Sequence, residues 1–212
     1  MSGSVTVVDY DCGNLFSVVR AVEHCGGTVE LATEPDQVAR AERLVLPGVG
    51  AFGAAMKTLR DRGLADAVKE FVETGRPFLG ICVGLQVMLD YSEEFGRHEG
   101  LGLIPGAVVP IPPVTAQGEP HPIPHIGWAK LKFAGPDNNG TIFGNLDEDC
   151  WAYFVHSFGA VPKDPAHVAV TCDYGGQTIT AAAAKDNMIG CQFHPEKSGP
   201  DGLKMIDNFL SP

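Results

Sequence analysis

The sequence lacks any apolar run long enough to form a membrane-spanning helix, and its first residues, MSGS, have no basic or apolar signal region. We therefore expect a cytoplasmic protein. Positive charge is also scarce, since 15 Lys and Arg against 26 Asp and Glu leave a net charge of −11. This balance argues against nucleic acid or an anionic membrane as the main partner.

Cysteine is sparse and dispersed, and no two cysteines form a CxxC pair. This spacing argues against a disulfide framework and against a zinc site. His121 and His125 have the spacing of metal ligands on a helix, but the prolines between them exclude a helix, so we interpret both as loop residues. The six cysteines are Cys12, Cys25, Cys82, Cys150, Cys172 and Cys191.

The 212 residues, 44% of them hydrophobic, suit one α/β domain spanning 1–212. The first part of the chain alternates short β-branched runs with segments of helical periodicity. This order predicts a doubly wound parallel sheet with helices on both faces. The predicted strands are 5–8, 29–32, 44–46 and 78–81. The first predicted helix is capped by Asn14, and the others span 35–41, 54–60, 64–73 and 85–91.

The second part of the chain has a different pattern. Seven prolines between Pro105 and Pro124 exclude a helix there and predict an extended, partly mobile loop. Five predicted strands then follow one another without helices, which favours antiparallel additions to the sheet. These strands are 128–133, 151–155, 168–172, 178–184 and 188–193, and a last helix begins at about Pro200. The predicted fold is a mostly parallel, doubly wound sheet with antiparallel additions.

A cysteine lies between a predicted strand and a predicted helix, with a glycine two residues to each side: Gly80, Cys82 and Gly84. A strand that turns sharply into a helix crowds these flanking positions, and glycine relieves the crowding. The turn also places the central side chain at a helix N-terminus, where unpaired N–H groups favour a thiolate. The pattern predicts a nucleophile, with a buried structural cysteine as the alternative.

A histidine and a glutamate stand at the end of the last predicted strand, as His194-Pro195-Glu196. Proline biases the preceding residue towards extended backbone, where residues i and i+2 point to the same side. Glu196 can then orient the His194 ring and leave its other nitrogen to exchange protons with a thiol. The alternative is an incidental ion pair. Because strand ends on one sheet edge converge on one crevice, we interpret Cys82, His194 and Glu196 as a catalytic triad.

Two of these segments, 80–86 (GICVGLQ) and 194–196 (HPE), resemble the motifs of the class I, triad-type glutamine amidotransferases. The resemblance covers essentially the whole chain and implies the α/β fold of this class, with hydrolysis of L-glutamine to glutamate and ammonia. It departs from the family at Ala129, where asparagine is common, and in the proline-rich region 108–122. Within this class, the sequence most resembles the glutaminase subunits of imidazole glycerol phosphate synthase. The segments that carry this narrower resemblance are 47–52 (PGVGAF), 124–128 (PHIGW) and 153–158 (YFVHSF).

The family resemblance also implies an oxyanion hole and a glutamine-binding pocket. The N–H of Val83 at the helix start is one natural oxyanion donor, and the family takes a second from the turn containing Val49 and Gly50. Glu94 matches the position that receives the amino group of glutamine, and 156–158 matches the segment that receives its carboxylate. The implied glutamine-binding residues are Gln86, Glu94, His156, Ser157 and Phe158.

The resemblance further implies a heterodimer with a cyclase built as a β/α barrel. The cyclase would use the ammonia to form imidazole glycerol phosphate and an aminoimidazole carboxamide ribonucleotide, and no metal or organic cofactor is implied for this chain. We hypothesise that Asn14, Tyr153 and Lys197, at or near strand ends, fringe the crevice and help dock the cyclase. The alternative is that these are unrelated surface residues.

Three other functions stay open at this point. The chain could be the glutaminase of another synthase, such as that of anthranilate, GMP or pyridoxal phosphate. It could be a cysteine peptidase or γ-glutamyl hydrolase on the same scaffold. It could also be a scaffold subunit with a relic triad, which the intact Cys82, His194 and Glu196 disfavour.

Overall fold

The computed structural model describes residues 3–134 and 141–211, which form a nine-stranded sheet and a four-stranded sheet. The helices are α1 (Leu15–His24), α2 (Pro35–Arg40), α3 (Phe52–Asp61), α4 (Leu64–Glu73), α5 (Val83–Val87) and α6 (Gly199–Leu210). The strands of the large sheet are β1 (Ser4–Val8), β2 (Thr28–Ala32), β3 (Leu44–Gly48), β4 (Phe78–Cys82), β8 (His125–Phe133), β9 (Trp151–His156), β11 (Val168–Tyr174), β12 (Gln177–Lys185) and β13 (Met188–Cys191). The strands of the small sheet are β5 (Tyr91–Ser92), β6 (His98–Glu99), β7 (Gly106–Pro110) and β10 (Phe158–Pro162).

One half of the large sheet is parallel, in the order β2-β1-β3-β4-β13. Every residue of β3 and β4 is buried, because helices cover both faces of this half. The predicted doubly wound arrangement is confirmed. Among the described helices, none combines the length and the hydrophobicity that crossing a membrane requires.

The other half of the large sheet continues antiparallel, in the order β13-β12-β11-β8-β9. Buried and exposed residues alternate along β8 and β9, so one face of this half packs on the core and the other meets solvent. The predicted antiparallel additions are confirmed, and this half is as wide as the parallel half. β13 belongs to both, since it pairs parallel with β4 and antiparallel with β12.

The small sheet was not predicted, and one of its strands lies in the segment interpreted as a loop. β7 pairs with β10 from Gly106 to Pro110, and with β5. Pro105 precedes the strand and Pro110 is its last residue. Because the residues between them keep their N–H groups for the ladder, a proline-rich segment still forms a strand here.

Helix α5 is shorter than the predicted helix 85–91, and Tyr91 belongs to β5 instead. The residues after α5 turn away because a neighbouring loop binds their carbonyl groups. The N–H of Leu101 donates to the carbonyl of residue 87 at 2.8 Å. The N–H of Leu103 donates to the carbonyl of residue 88 at 2.8 Å, and that of Gly102 to the carbonyl of residue 89 at 3.1 Å. These tertiary bonds end the helix after about one turn.

Three smaller expectations also change. β8 begins at His125, so this residue lies in a strand and is buried, not in a loop. β13 ends at Cys191, two residues before the predicted end. Asn14 occupies the N-cap position of α1, but its side chain makes no capping hydrogen bond.

Candidate active site

Cys82 lies at the apex of a strained turn between β4 and α5. Its φ of 55° and ψ of −109° lie in a region that L-residues rarely adopt. A Cβ on Gly84 would lie 1.8 Å from the carbonyl oxygen of Leu46, and one on Gly80 would lie 2.9 Å from the backbone of Gly84. The predicted crowding on both sides of the cysteine is confirmed, and only glycine satisfies it.

His194 and Glu196 form a buried pair directly after β13. Nδ1 of His194 donates to Oε1 of Glu196 at 2.8 Å, and the side chains are 2% and 1% exposed. His194 has the predicted extended backbone, whereas Glu196 lies in a 3-10 turn, Pro195–Lys197. The contact thus comes from this turn and not from a continuing extended chain. Ser198 fixes the turn by donating from Oγ to the carbonyl of His194 at 2.6 Å.

The protonation of His194 is set by opposing effects. Burial lowers the pKa of this imidazole, but its interactions with Cys82 and Glu196 outweigh burial and raise the pKa to about 9. At neutral pH the ring is therefore a cation held between a sulfur and a carboxylate. Its Nε2 is buried and has no hydrogen-bond partner among the described residues, so it is available to a substrate.

A cleft of about 290 Å³ opens over Cys82 at the carboxyl ends of β3 and β4. In open α/β sheets this edge is where ligands bind. Glu196 lies behind His194 instead of lining the cleft. All ten of the other residues predicted for the triad, the oxyanion hole and glutamine binding line it: Val49, Gly50, Cys82, Val83, Gln86, Glu94, His156, Ser157, Phe158 and His194.

The turn after β3 packs tightly behind the cysteine. A Cβ on Gly48 would lie 2.6 Å from the hydroxyl oxygen of Tyr10 and 2.9 Å from Cβ of Val83. That hydroxyl donates to the carbonyl of Pro47 at 2.8 Å, and burial raises the pKa of Tyr10 far above its usual value. Tyr10 thus stays protonated and anchors the turn. No pattern in the sequence had identified this residue. Gly50 follows with a φ of 96°, a conformation that favours glycine.

Glu94 reaches the cleft from beyond β5. Its Oε2 accepts the backbone N–H of Phe52, at the start of α3, at 2.6 Å. A carboxylate is favoured at a helix N-terminus, where unpaired N–H groups carry partial positive charge. The bond ties Glu94 to the segment that carries Val49 and Gly50.

Gln86 contacts the protein more than was predicted for a substrate ligand. Its Nε2 donates to the carbonyl of Phe158 at 3.0 Å and to Oε1 of Gln192 at 3.2 Å. Gln192, which is fully buried, was missed in the sequence. Residue 192 precedes His194 by two positions, so in extended backbone the two side chains point to the same side, and this signal could have identified Gln192.

His156 and His125 form a second buried pair beside the cleft. Burial lowers the pKa of each to about 4, so both rings are neutral. His156 Nδ1 therefore donates to the carbonyl of Phe158 at 2.9 Å, and its Nε2 accepts from Nδ1 of His125 at 3.0 Å. This pair supports the backbone of 156–158. A buried His125 could not be inferred from a position directly after a proline-rich segment.

The three residues predicted for partner docking lie outside the cleft lining. Tyr153 is in β9, where its ring contacts Trp128 edge-on and its carbonyl accepts the N–H of His194 at 3.0 Å. Lys197 is exposed at the end of the 3-10 turn. Asn14 begins α1, which packs against that turn. The exposed Trp128 lies next to Tyr153 and was not among the predicted docking residues.

The other thiols differ from Cys82 in their surroundings. All six cysteines are free, and Cys82 is the one that lines the described cleft. Burial raises the pKa of Cys150 and Cys172 to about 12, and it also raises the pKa of Cys25 and Cys191. Within the described residues, no cluster of three or more His, Cys, Asp and Glu could hold a metal ion.

Comparison with known proteins gives consistent matches over the whole chain. The family described as glutamine amidotransferase class-I matches residues 6–211. The chain is 48% identical over 209 residues to imidazole glycerol phosphate synthase subunit HisH 1 of Legionella pneumophila (strain Lens), covering 98% of each. It is 47% identical over 206 residues to subunit HisH of Synechococcus sp. (strain JA-3-3Ab), covering 97% of this chain and 92% of that one.

Solved structures show the same fold at much lower sequence identity. The structure of PurLQS from Thermotoga maritima matches with a TM-score of 0.73 and 22% identity, covering 99% of this chain and 98% of that chain. The crystal structure of a glutamine amidotransferase from Thermotoga maritima matches with a TM-score of 0.62 and 16% identity, covering 92% of this chain and 77% of that chain. These two likenesses concern the fold alone.

Proposed function

The chain belongs to the class I glutamine amidotransferases, and from this premise we propose that Cys82, His194 and Glu196 are its catalytic triad. It is the glutaminase subunit of imidazole glycerol phosphate synthase, an enzyme of histidine biosynthesis. Its reaction is the hydrolysis of the side-chain amide of L-glutamine to glutamate and ammonia. We expect it to work in the cytoplasm, as one domain spanning 1–212.

The first half of the reaction forms a thioester. The Cys82 thiolate attacks the amide carbon of glutamine, and the carbonyl oxygen becomes an oxyanion in a tetrahedral intermediate. The C–N bond then breaks, and the proton on Nε2 of His194 moves to the departing nitrogen, which leaves as ammonia. The raised pKa of His194, about 9, keeps this proton available at neutral pH.

The second half hydrolyses the thioester. His194, now neutral, takes a proton from a water molecule as that water attacks the same carbon. The C–S bond breaks, glutamate leaves and the sulfur regains its negative charge. Glu196 accepts from Nδ1 throughout, which fixes the tautomer and stabilises the imidazolium.

Residues on the cleft wall would bind the substrate. The backbone N–H of Val83 and a backbone N–H of the turn at Val49 and Gly50 would stabilise the oxyanion, which is supported by the position of these three residues in the cleft lining with Cys82. Glu94 would take the α-amino group of glutamine. Backbone N–H groups of 156–158 would take its carboxylate, and the Oε1 of Gln86 would accept a hydrogen bond from the substrate.

The ammonia would pass to a partner subunit, because ammonia released to water is lost. The relatives named above are subunits of imidazole glycerol phosphate synthase, which implies a second subunit. We propose that this partner is a β/α-barrel cyclase, bound as a heterodimer over the mouth of the cleft. Asn14, Tyr153 and Lys197 would lie at this contact. The net charge of −11 disfavours nucleic acid as an alternative partner.

The observation that carries the proposal is a strained cysteine that shares one cleft with a buried histidine, whose ring is held from behind by a buried glutamate. The test pairs the wild-type or Cys82→Ala chain with the cyclase and assays imidazole glycerol phosphate under two nitrogen sources. With glutamine, the Cys82→Ala complex should form essentially no product. With concentrated ammonium salt at alkaline pH, both complexes should form it.

Other outcomes would point elsewhere. A chain that hydrolyses γ-glutamyl peptides, and whose variant shows no rescue by ammonia, is a hydrolase. Equal product from glutamine in both complexes would mean that Cys82 is not the nucleophile. Co-purification with a different synthase would keep the glutaminase chemistry and change the pathway.

A further inference from the structure

The sulfur of Cys82 needs stabilisation that its own helix gives only weakly. A thiolate at a long helix N-terminus gains from the aligned peptide dipoles, but α5 has five residues, little more than one turn. Besides the neighbouring His194 cation, the sulfur has a second partner, Nε2 of Gln192, which donates a hydrogen bond to it at 3.8 Å. The sulfur is thus served by a side chain that the proposed mechanism has not used.

The orientation of the Gln192 amide is fixed by its neighbours. Its Oε1 accepts from Nε2 of Gln86 at 3.2 Å, so its nitrogen must point the other way, towards Cys82. Gln86 is held in turn, because its Nε2 also donates to the carbonyl of Phe158 at 3.0 Å. A flipped Gln192 would present an oxygen to the sulfur and a nitrogen to the Gln86 donor, losing both bonds.

Both amides are shielded from water, which increases the effect of each bond. Gln192 is 0% exposed and Gln86 is 5% exposed. In such surroundings a donor directed at an anion interacts more strongly than at a wet surface. A buried amide requires hydrogen-bond partners inside the protein, and the Cys82 sulfur is the acceptor for the Gln192 nitrogen.

We propose that Gln192 is a further catalytic residue of this site, which donates a hydrogen bond to the Cys82 sulfur, and that Gln86 is the positioning residue that orients it. The proposal adds two residues to the proposed glutaminase mechanism, and the role of Gln192 in turnover rests on that mechanism. Gln192 transfers no proton. Its bond favours negative charge on the sulfur, both before attack and when the sulfur leaves the thioester.

The first test compares Gln192→Met, which keeps the length of the side chain and removes the donor, with wild type. The rate at which iodoacetamide alkylates Cys82 is measured across pH by peptide mass mapping. We expect the midpoint of this profile to move to higher pH and the rate at pH 7 to fall about tenfold, with kcat falling similarly and KM for glutamine nearly unchanged. His194, Tyr10, Glu94 and His156 are the other titratable groups near the sulfur or across the cleft, and the variant keeps them all.

The matched control is Gln177→Met. This substitution removes a side-chain amide that donates to the carbonyl of Val114, a residue distant from it in the sequence. It should leave the alkylation profile of Cys82 unchanged. A second variant, Gln86→Met, leaves Gln192 in place but removes its orienting donor, and should shift the profile in the same direction by less. If Gln86 acts on the sulfur through Gln192, the double variant should alkylate like Gln192→Met alone.

The proposal is overturned if Gln192→Met alkylates with the wild-type midpoint, or if the Gln86 and Gln192 effects simply add. Should Gln192→Met fail to fold, Gln86→Met and Gln192→Asn carry the same test, since each weakens the donor without emptying the site. Alkylation requires no glutamine and no second protein. A shifted profile in a chain that hydrolyses no glutamine would thus reject the proposed function and still support this role of Gln192.

Discussion

The parallel and antiparallel halves of the large sheet contribute different parts of the site. The parallel half carries the proposed reacting groups: Cys82 is the last residue of β4, and His194 and Glu196 follow β13. The antiparallel half and the small sheet supply the opposite wall, through 156–158 at the junction of β9 and β10. The proposed chemistry thus depends on strained backbone and buried charge in one half, whereas the segment proposed to bind the substrate carboxylate has ordinary strand geometry in the other.

The reacting groups give the largest expected effects. Cys82→Ser and His194→Ala should each lower glutamine hydrolysis about a thousandfold or more, because a serine is poorly activated here and the leaving ammonia loses its proton donor. Thermal unfolding should show both variants folded. A Cys82→Ser chain that keeps most of its hydrolysis rate would place the chemistry outside the parallel half.

The same contrast applies to two glycines. Gly84→Ala should unfold or destabilise the protein by more than about 4 kcal/mol, since the new Cβ meets a backbone oxygen at 1.8 Å. Gly159→Ala, in β10, should change stability by less than about 1 kcal/mol, because the nearest atom would be Ile179 Cγ2 at 3.8 Å. Urea unfolding measures both. Similar losses in the two variants would contradict the idea that strain is concentrated in the parallel half.

Glu196→Gln should have a moderate effect, lowering kcat about 10- to 100-fold, since Glu196 orients and stabilises without exchanging protons. It should also change how stability depends on pH. The folded pKa of His194, about 9, exceeds the ordinary value of 6.5, so the native state binds the proton more tightly.

The stability that comes from this proton is fully present below pH 6.5 and is lost as pH rises through about 9. The difference in unfolding free energy between wild type and Glu196→Gln should therefore shrink over this range, by about 1–3 kcal/mol. Urea titrations at several pH values test it. A difference that stays constant or grows with pH would mean that the ion pair is not what Glu196 provides.

The smallest effects are expected at the docking residues. Asn14→Ala, Tyr153→Ala and Lys197→Ala should each weaken cyclase binding about two- to fivefold and leave the fold intact, as is usual for exposed contacts at an interface rim. Titration calorimetry with the cyclase measures this. Lys69→Ala, in α4 and outside the cleft, is the control. If the three docking variants bind like the control, these residues are unrelated surface positions.

The parallel half could be predicted from the sequence because its signals are local. Each strand and helix there is marked by its own apolar period and by glycine or proline at its ends, and the elbow at Cys82 is marked by Gly80 and Gly84. The pairing of His194 with Glu196 could likewise be predicted from three consecutive residues. Family resemblance added the cleft residues that no local pattern identifies, such as Glu94.

The features missed from the sequence depend on contacts between distant segments. The small sheet exists because β7 pairs with β10, about fifty residues later, and α5 ends early because 101–104 bind its carbonyls. His125 is buried by partners from other strands. No period or spacing within a short window contains that information.

The contrast between Cys82 and the other thiols makes the protein a convenient one for site-specific probes. Cys25, Cys150, Cys172 and Cys191 keep their protons at neutral pH, because burial raises the pKa of each. An electrophile reacts with the thiolate and not with the thiol, so these four groups contribute little background. A fluorine-bearing or fluorescent electrophile can then be attached at the cleft of a chain in which only the partly exposed Cys12 is replaced. Its signal would report the arrival of the cyclase directly at the nucleophile.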